Sequence, residues 1–130
     1  MKLYVIPGAP NCRKVQAVAL HLGLEMDTVA LDLRAGDAGK PEYLALNPNG
    51  YTPTLVDGDF VLWESNAIMQ YLCGQRPGTS LFPDDPVARA DIARWQFWEQ
   101  ANLQRIVHGF FNENVLKPRY RGQEPDQARL

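Results

Sequence analysis

A β-hairpin signal near the middle of the chain constrains the fold most strongly. Two apolar runs, residues 54–56 and 60–63, flank the turn sequence Asp57-Gly58-Asp59. An Asp-Gly pair between two such runs favours a tight turn between antiparallel strands, because glycine readily adopts the left-handed conformation that the turn needs. We therefore expect a sheet that contains at least one antiparallel pair of strands.

The segment before the hairpin predicts a βαβ unit. Residues 2–6 form a short apolar run, apolar side chains recur at helical spacing over residues 15–22, and they alternate over residues 26–33. Asn11 is the expected N-cap of the helix, and Gly23 is expected in the left-handed conformation after its end. Because the two strands of a βαβ unit are parallel, the complete sheet is expected to be mixed.

Two shorter helical segments flank the hairpin. Residues 41–46 predict a short helix that ends at the Asn47-Pro48-Asn49-Gly50 sequence. After the hairpin, Ser65 and Asn66 are expected to cap a helix that ends just before Gly74. The first part of the chain is therefore an α/β domain with the order βαβ-α-ββα and a mixed four-stranded sheet.

The second part of the chain predicts a linker and one long helix. Residues 77–85 contain Gly, Pro and small polar residues without periodicity, which is typical of a linker. An acidic pair followed by Pro86 is typical of a helix start, and apolar side chains continue at helical spacing over residues 86–112. We expect a domain at residues 1–76 and a partial helical domain at residues 86–130.

Aromatic residues on the long helix have two interpretations. Trp95, Phe97 and Trp98 could line a hydrophobic substrate pocket, but their helical spacing favours packing in a core. The polar tail, residues 117–130, is expected to contribute no core.

Composition and charge exclude several classes of function. The formal net charge is −2, so no basic face for nucleic acid is expected, and no apolar stretch approaches the roughly 20 residues of a membrane span. The first residues lack a signal peptide, and Cys12 and Cys73 do not form a disulfide framework, so we expect free thiols and a cytoplasmic location. His21 and His108 lack metal-ligand spacing, so no metal site is expected.

Three motifs occur in a fixed order within residues 1–82. They are Pro10-Asn11-Cys12-Arg13-Lys14-Val15, Leu46-Asn47-Pro48-Asn49-Gly50-Tyr51-Thr52-Pro53-Thr54-Leu55 and Trp63-Glu64-Ser65-Asn66-Ala67-Ile68. Together, in this order and spacing, they resemble the glutathione-binding half of the cytosolic glutathione S-transferases. The resemblance implies a thioredoxin-like first domain, followed by the first long helix of an all-helical domain. We expect that this second domain is truncated here, and the alternative is an unusually short natural protein.

The resemblance also implies which residues bind glutathione. Glu64 and Ser65 match the family's γ-glutamyl clamp, in which a helix start binds the carboxylate and the Glu pairs with the ammonium group. The alternative is a simple helix cap with a solvated Glu. Thr52 matches the residue whose main chain pairs with the cysteinyl part, and Pro53 matches a proline that is cis in the family, with an ordinary trans turn as the alternative.

Two further positions match the family less closely. Lys40 lies where similar proteins place a cation for the glycyl carboxylate, although an exposed loop lysine explains it equally well. Tyr51 stands where relatives have Gln, Lys or Arg, so one polar contact with glutathione is expected to be altered.

The residue that activates the glutathione thiol is open at this point. Ala9 occupies the position where similar sequences carry a hydroxyl group, and it cannot donate a hydrogen bond. Asn11 is the better candidate, as in nu-type bacterial members with Pro-Asn here that reduce disulfide bonds, and its alternative role is to cap the helix. Cys12 is the other candidate, as a thiol that forms mixed disulfides, and its alternative role is that of a buried small hydrophobe.

The expected function follows from the resemblance. It implies a cytoplasmic homodimer that binds glutathione as its substrate and conjugates it to an electrophile, without a metal, nucleic-acid or membrane partner. The departure at Ala9 keeps two alternatives open, a glutathione-dependent disulfide-bond reductase and a non-catalytic assembly module.

Overall fold

A computed structural model describes residues 1–129, so that Leu130 lies outside the described residues. The chain divides into two compact units, Met1–Pro83 and Asp84–Leu130. The helices and strands of the first unit, in chain order, are β1 (Lys2–Val5), α1 (Pro10–His21), β2 (Asp27–Ala30), α2 (Pro41–Leu44), β3 (Thr54–Asp57), β4 (Phe60–Trp63) and α3 (Ser65–Gly74).

The four strands form one mixed sheet in the order β2-β1-β3-β4. Strand β1 pairs in parallel with β2 and antiparallel with β3, and β3 pairs antiparallel with β4 across the Gly58 turn. The register places Leu3 opposite Leu55 at the centre of the sheet. The predicted order βαβ-α-ββα and the predicted hairpin are therefore confirmed.

The core of this unit lies between the sheet and two helices. Side chains from β1, α1, β3 and α3 form one buried cluster, made of Leu3, Val5, Cys12, Val15, Ala19, Leu55, Ile68 and Leu72. Successive side chains of a strand point to opposite faces, so Tyr4 lies on the other face of the sheet, where its ring contacts Tyr43 of α2 at 5.7 Å between centroids. Helices α1 and α3 thus cover one face, and α2 contacts the other.

The start of α1 differs from the prediction. The N-cap is Ala9, and Pro10 is the first helical residue, so the predicted capping role of Asn11 was wrong. The physical reason is that proline has a fixed φ suited to the first helical position and lacks the N–H that would be unpaired there. At the other end, Gly23 adopts a φ of +63° after the C-cap Leu22, as predicted.

The limits of α3 also differ from the prediction. Ser65 is the first helical residue and Glu64 occupies the N-cap position, so neither Ser65 nor Asn66 is the cap. Glu64 has a φ of +74° and a ψ of +112°, which turns the chain sharply after β4 and lets helical geometry begin at the next residue. Gly74 is the last helical residue instead of the residue after the end.

Two elements are shorter than the patterns predicted. The alternation over residues 26–33 forms a strand only at Asp27–Ala30, because its partner β1 offers four residues for pairing. The short helix α2 ends at Leu44 instead of residue 46. A 3₁₀ turn, Asp37–Gly39, lies between these two elements.

The second unit is built from consecutive helical segments. These are α4 (Pro86–Trp98), a π-helical segment (Glu99–Leu103), α5 (Gln104–Phe111) and a second π-helical segment (Asn112–Arg121), followed by a 3₁₀ turn (Gln127–Arg129). Asp85 caps α4 with a carboxylate that accepts from the Ala88 N–H at 2.7 Å, as the acidic pair before Pro86 predicted. None of the helices among residues 1–129 is long and apolar enough to cross a membrane.

The helical run continues past the predicted end at residue 112. The carboxylate of Glu113, which is buried, accepts hydrogen bonds from Asn112, from Lys117 one turn later and from the main chain of Asp126. These bonds extend the helical structure into the polar tail. Residues 117–121 are partly or fully exposed, so this part of the tail contributes no core, as predicted. Gly122, with a φ of +62°, ends the run.

The aromatic residues of α4 do not form a core, contrary to the prediction. Trp95, Phe97 and Trp98 are 57%, 71% and 49% exposed. The described residues of this unit form successive helical segments, and no second helical layer covers these side chains. Helical spacing predicted an apolar face but could not supply the surface that buries it.

Candidate functional site

The loop before β3 contains a cis peptide bond between Thr52 and Pro53, as the resemblance implied. Pro53 is buried, and Thr52 is partly exposed. Among residues 1–129, no main-chain hydrogen bond joins Thr52 to another main-chain group. The main chain of Thr52 is thus a donor and acceptor pair just before the start of the central strand β3, and it is suited to a peptide-like ligand.

Cys12 contacts this loop from α1. Its thiol donates to the Thr52 hydroxyl oxygen at 3.3 Å, and its side chain is fully buried. Burial raises the pKa of the Cys12 thiol, an effect that the hydrogen bonds with Thr52 and with the Ile6 main chain oppose only in part. A buried, protonated thiol is a poor nucleophile, which favours the alternative role of Cys12 as a packing residue.

This position of Cys12 predicts low thiol reactivity. In a Cys73→Ala variant, which leaves Cys12 as the one thiol of the chain, we expect a disulfide reagent at neutral pH to react with the folded protein at least about tenfold more slowly than with the urea-unfolded protein. Because the folded pKa is raised, the contribution of Cys12 to stability is full below the unfolded pKa and is lost as the pH rises through the folded pKa. Equal reaction rates for folded and unfolded protein would contradict this placement.

Asn11 lies in the first turn of α1 and is not its cap. The N-cap Ala9 provides no side-chain hydrogen bond to the helix start, and Pro10 has no N–H to donate. Asn11 is partly exposed, and no hydrogen bond of its side-chain amide occurs within residues 1–129. Since the amide is not used for capping, it can donate to a ligand beside the positive end of the α1 dipole.

The start of α3 combines an unusual backbone with a buried hydroxyl. Glu64 is the one non-glycine residue with a positive φ among residues 1–129, a conformation that occurs most often at functional or strained sites. Ser65, at the first helical position, is only 7% exposed, and the side chain of Glu64 at the N-cap position accepts no hydrogen bond from the first turn of α3. A helix start of this kind favours an anion.

The first helix contacts both of these elements. Cys12 bonds to Thr52 in the cis-proline loop, and two residues later Lys14 donates from Nζ to the Asn66 side-chain oxygen at 3.0 Å, in the first turn of α3. Cys12 and Lys14 lie on the same turn of α1. Their contacts therefore place the cis-proline loop and the start of α3 at the same end of the first unit.

Lys40 and Tyr51 are the two outer candidates. The Lys40 ammonium donates to the Asp37 carboxylate at 2.6 Å, which raises the pKa of Lys40 and lowers the pKa of Asp37. The structure thus gives Lys40 an ion-pair partner at the protein surface. The Tyr51 side chain is 72% exposed, whereas its carbonyl oxygen accepts two partly buried hydrogen bonds, from the Tyr43 hydroxyl and the Asn47 amide.

The two residues that donate to the Tyr51 carbonyl were missed as site residues. Tyr43 and Asn47 are 3% and 2% exposed, and in the sequence they appear only as part of a short helix and its stop signal. Their burial becomes visible only in the folded chain, where buried polar groups need hydrogen-bond partners, so the sequence carried no signal that singled them out. No group of His, Cys, Asp and Glu side chains within the described chain could hold a metal ion.

Comparison with known proteins gives one consistent result. Residues 3–80 match the family model for the glutathione S-transferase N-terminal domain. Glutathione S-transferase D7 of Drosophila melanogaster is 39% identical over 113 residues, which cover 85% of this chain and 50% of that protein. The chain therefore spans about half the length of this curated relative.

Solved structures agree with the sequence comparison. Glutathione transferase F7 from Populus trichocarpa has a TM-score of 0.89 at 28% identity, covering 98% of this chain and 61% of that one. A theta-class enzyme from Xanthomonas axonopodis pv. citri, solved with glutathione bound, has a TM-score of 0.86 at 35% identity, covering 98% and 60%. These matches confirm the predicted thioredoxin-like fold and the long helix after it, and the chain belongs to the glutathione S-transferase family.

Proposed function

We propose that this chain binds glutathione at the end of the first unit and supports its conjugation to an electrophile. The observation that carries the proposal is the position of α1. One turn of this helix contacts the cis-proline loop through Cys12 and the α3 start through Lys14. Glutathione has a carboxylate at its γ-glutamyl end and a thiol near its centre. A helix start suits each of these two groups, and an exposed main chain suits the peptide groups between them.

The γ-glutamyl end is assigned to Glu64 and Ser65. The α-carboxylate accepts from the Ser65 hydroxyl and from main-chain N–H groups of the first turn of α3, where the helix dipole favours negative charge. The Glu64 carboxylate pairs with the ammonium group of the same γ-glutamyl residue. The low exposure of Ser65 strengthens these charged hydrogen bonds, because water competes for them less.

The cysteinyl and glycyl parts are assigned to the loop. The main chain of Thr52, held in place before Pro53, pairs with the cysteinyl N–H and C=O. Lys40 reaches the glycyl carboxylate, and its ion pair with Asp37 keeps the ammonium in this region. Tyr51 offers its main chain here, while its exposed ring borders the glycyl end.

The thiol is placed beside the first turn of α1. The Asn11 amide donates to the sulfur and, with the positive end of the α1 dipole, stabilises the thiolate. The thiolate then attacks the electrophile, so that a carbon–sulfur bond forms, the leaving group departs with its electron pair, and the thiol proton goes to solvent. Cys12, being buried, is assigned the support of the Thr52 loop instead of nucleophilic attack.

This assignment predicts the effect of removing the Asn11 amide. In Asn11→Ala, the fraction of bound glutathione present as thiolate at pH 7 is expected to fall about tenfold, since one hydrogen bond to a charged group is lost. Ultraviolet thiolate absorbance, followed against pH at saturating glutathione, measures this fraction. The control is Gln16→Ala, which removes an exposed amide from the same helix. An unchanged fraction in Asn11→Ala would exclude the assignment.

A second candidate function is glutathione-dependent disulfide reduction. The observation that favours it is Ala9 at the N-cap of α1, where no hydroxyl group stabilises the thiolate of a conjugating enzyme. In that reaction the glutathione thiolate attacks one sulfur of a disulfide, so that a mixed disulfide forms and the other sulfur leaves as a thiolate. A second glutathione thiolate then attacks the glutathione sulfur of the mixed disulfide, so that oxidised glutathione forms and the second thiolate leaves. The released thiolates take up the protons that the two glutathione thiols gave up.

One experiment separates the candidates. The chain is first tested for retention on immobilised glutathione and then assayed with an aryl halide electrophile and with a small disulfide. Turnover of the aryl halide supports conjugation, and turnover of the disulfide supports reduction. Retention without either turnover supports a non-catalytic module, and no retention contradicts the proposed function.

We further propose that the chain acts as a cytoplasmic homodimer. The exposed aromatic side chains of α4 provide apolar surface of the kind that association buries, and the two cysteines are free thiols, as expected in a reducing compartment. Light scattering after size exclusion tests the oligomeric state.

A further inference from the structure

A network of hydrogen bonds among buried side chains supports the cis-proline loop, residues 51–53, from within the first unit. Its members Tyr43, Asn47 and Thr54 are 3%, 2% and 0% exposed. The Tyr43 hydroxyl lies 2.6 Å from the Tyr51 carbonyl oxygen and 2.8 Å from the Thr54 hydroxyl. The Asn47 amide nitrogen lies 2.8 Å from the same carbonyl and 3.1 Å from the same hydroxyl.

The proton directions in this network follow from the chemistry of its members. The Tyr51 carbonyl can only accept, so the single proton of the Tyr43 hydroxyl is donated to it. The Thr54 hydroxyl must then donate to the Tyr43 oxygen, and it accepts from one hydrogen of the Asn47 amide. The other amide hydrogen of Asn47 goes to the Tyr51 carbonyl, which satisfies every member of the network.

Two further features hold the donors in this arrangement. The Asn47 oxygen accepts from the Asn49 main-chain N–H and from the Asn49 side-chain amide, both at 3.1 Å, which fixes which end of the Asn47 amide faces the loop. Burial raises the pKa of the Tyr43 hydroxyl, and the hydrogen bonds with Thr54 and Asn47 oppose this, so the group keeps its proton at neutral pH.

The network connects the sheet to the loop. Thr54 is the first residue of β3 and pairs with Tyr4 on one side and Trp63 on the other, so its position is fixed by the sheet. The Tyr51 carbonyl belongs to the peptide that joins Tyr51 to Thr52. Two donors on this oxygen therefore fix the orientation of the peptide plane that contains the Thr52 N–H.

We propose that Tyr43 and Asn47 are positioning residues for the cysteinyl part of glutathione, acting through the Tyr51 carbonyl to set the main chain of Thr52. This inference rests on the proposed function. Neither side chain touches the ligand, since both are buried beneath the loop. An apolar ring would fill the same space as Tyr43 but could not donate a hydrogen bond to the Tyr51 carbonyl. We therefore assign the positioning role to the Tyr43 hydroxyl group.

Two variants test this role with minimal change of shape. Tyr43→Phe removes one hydroxyl and leaves the Thr54 hydroxyl without its acceptor. Asn47→Asp keeps the oxygen that accepts from Asn49 but replaces the donor toward Tyr51 with an acceptor. The matched control is Tyr4→Phe, which removes a hydroxyl from the ring that packs against Tyr43.

Calorimetry and amide NMR on the full chain provide the measurements. The dissociation constant of glutathione is expected to rise about fivefold in Tyr43→Phe and about tenfold or more in Asn47→Asp, while Tyr4→Phe stays within about twofold. In both variants the glutathione-induced shift of the Thr52 amide signal is expected to shrink, whereas the shift at Ser65 is retained at saturation.

Each other outcome overturns the inference in a distinguishable way. Binding by Tyr43→Phe and Asn47→Asp as tight as that of the wild type overturns the positioning role and leaves the proposed function intact. If the glutathione-induced shifts of the Thr52 and Ser65 amide signals shrink equally and the melting temperature falls, the two side chains have a general structural role instead. If Asn47→Asp does not fold, Tyr43→Phe alone decides. Absence of binding by the folded wild type overturns both the inference and the proposed function.

Discussion

Replacing Ser65 with alanine is expected to weaken glutathione binding by about 10- to 100-fold. The hydroxyl group lies at the first position of α3, is 7% exposed, and is assigned to the γ-glutamyl carboxylate. A hydrogen bond to a charged group contributes about 1.5–3 kcal/mol, and a difference of 1.4 kcal/mol is about a factor of ten in the dissociation constant. Isothermal titration calorimetry with glutathione measures the change.

The control for this variant is Ser80→Ala, which removes an exposed hydroxyl from the loop after α3. It is expected to bind glutathione like the wild type. A second comparison is Glu64→Gln, which keeps the size of the side chain and removes the charge assigned to the ammonium group. If Ser65→Ala binds as tightly as Ser80→Ala, the γ-glutamyl assignment is wrong and the helix start has only a structural role.

Replacing Leu55 with alanine is expected to lower the free energy of unfolding of the first unit by about 2–5 kcal/mol. Leu55 lies in β3 opposite Leu3 and is fully buried in the cluster shared by the sheet, α1 and α3. Removing it loses the transfer free energy of the side chain and leaves a cavity in a packed core. Urea unfolding followed by circular dichroism measures the change.

The chain offers a matched control in Leu20→Ala on α1. Leu20 is 82% exposed, and alanine has the higher helix propensity, so this variant is expected to change the stability by less than about 0.5 kcal/mol. Similar destabilisation by the two substitutions would contradict the placement of the core. Because the Leu55 side chain lies in the core and is assigned no contact with glutathione, the folded fraction of Leu55→Ala is expected to keep its glutathione affinity.

Local chemistry explains which parts of the fold were predictable from sequence. The Asp-Gly turn at Gly58 and the left-handed Gly23 depend on the conformational freedom of glycine at single positions. The Asp85 cap of α4 depends on neighbouring residues alone. Since these signals are local, the hairpin, the end of α1, the start of α4 and the mixed sheet could be derived without knowledge of the tertiary structure.

Two features differed from the prediction for different reasons. The N-cap of α1 shifted to Ala9 because Pro10 competes with Asn11 for the helix start. The exposure of Trp95 depends on which surfaces pack against α4. The helical periodicity of apolar residues predicts an apolar face but does not show whether another element covers it.

The candidate site shows the same division. Thr52, Pro53, Glu64 and Ser65 were predicted as site residues from motifs that resemble those of the family. Asn47 was interpreted only as a helix stop, because its partners at Tyr43, Tyr51 and Thr54 meet only after α2 and β3 have packed. Buried polar networks of this kind require three-dimensional information.

The central claim is that two helix starts and the cis-proline loop of the first unit form one glutathione site. The most direct measurement is an amide NMR titration of the folded chain with reduced glutathione. The account predicts saturable shifts at Thr52, at Glu64 and Ser65, and at Asn11, all with a single dissociation constant. A folded chain whose spectrum does not change at these four amides at millimolar glutathione would contradict it.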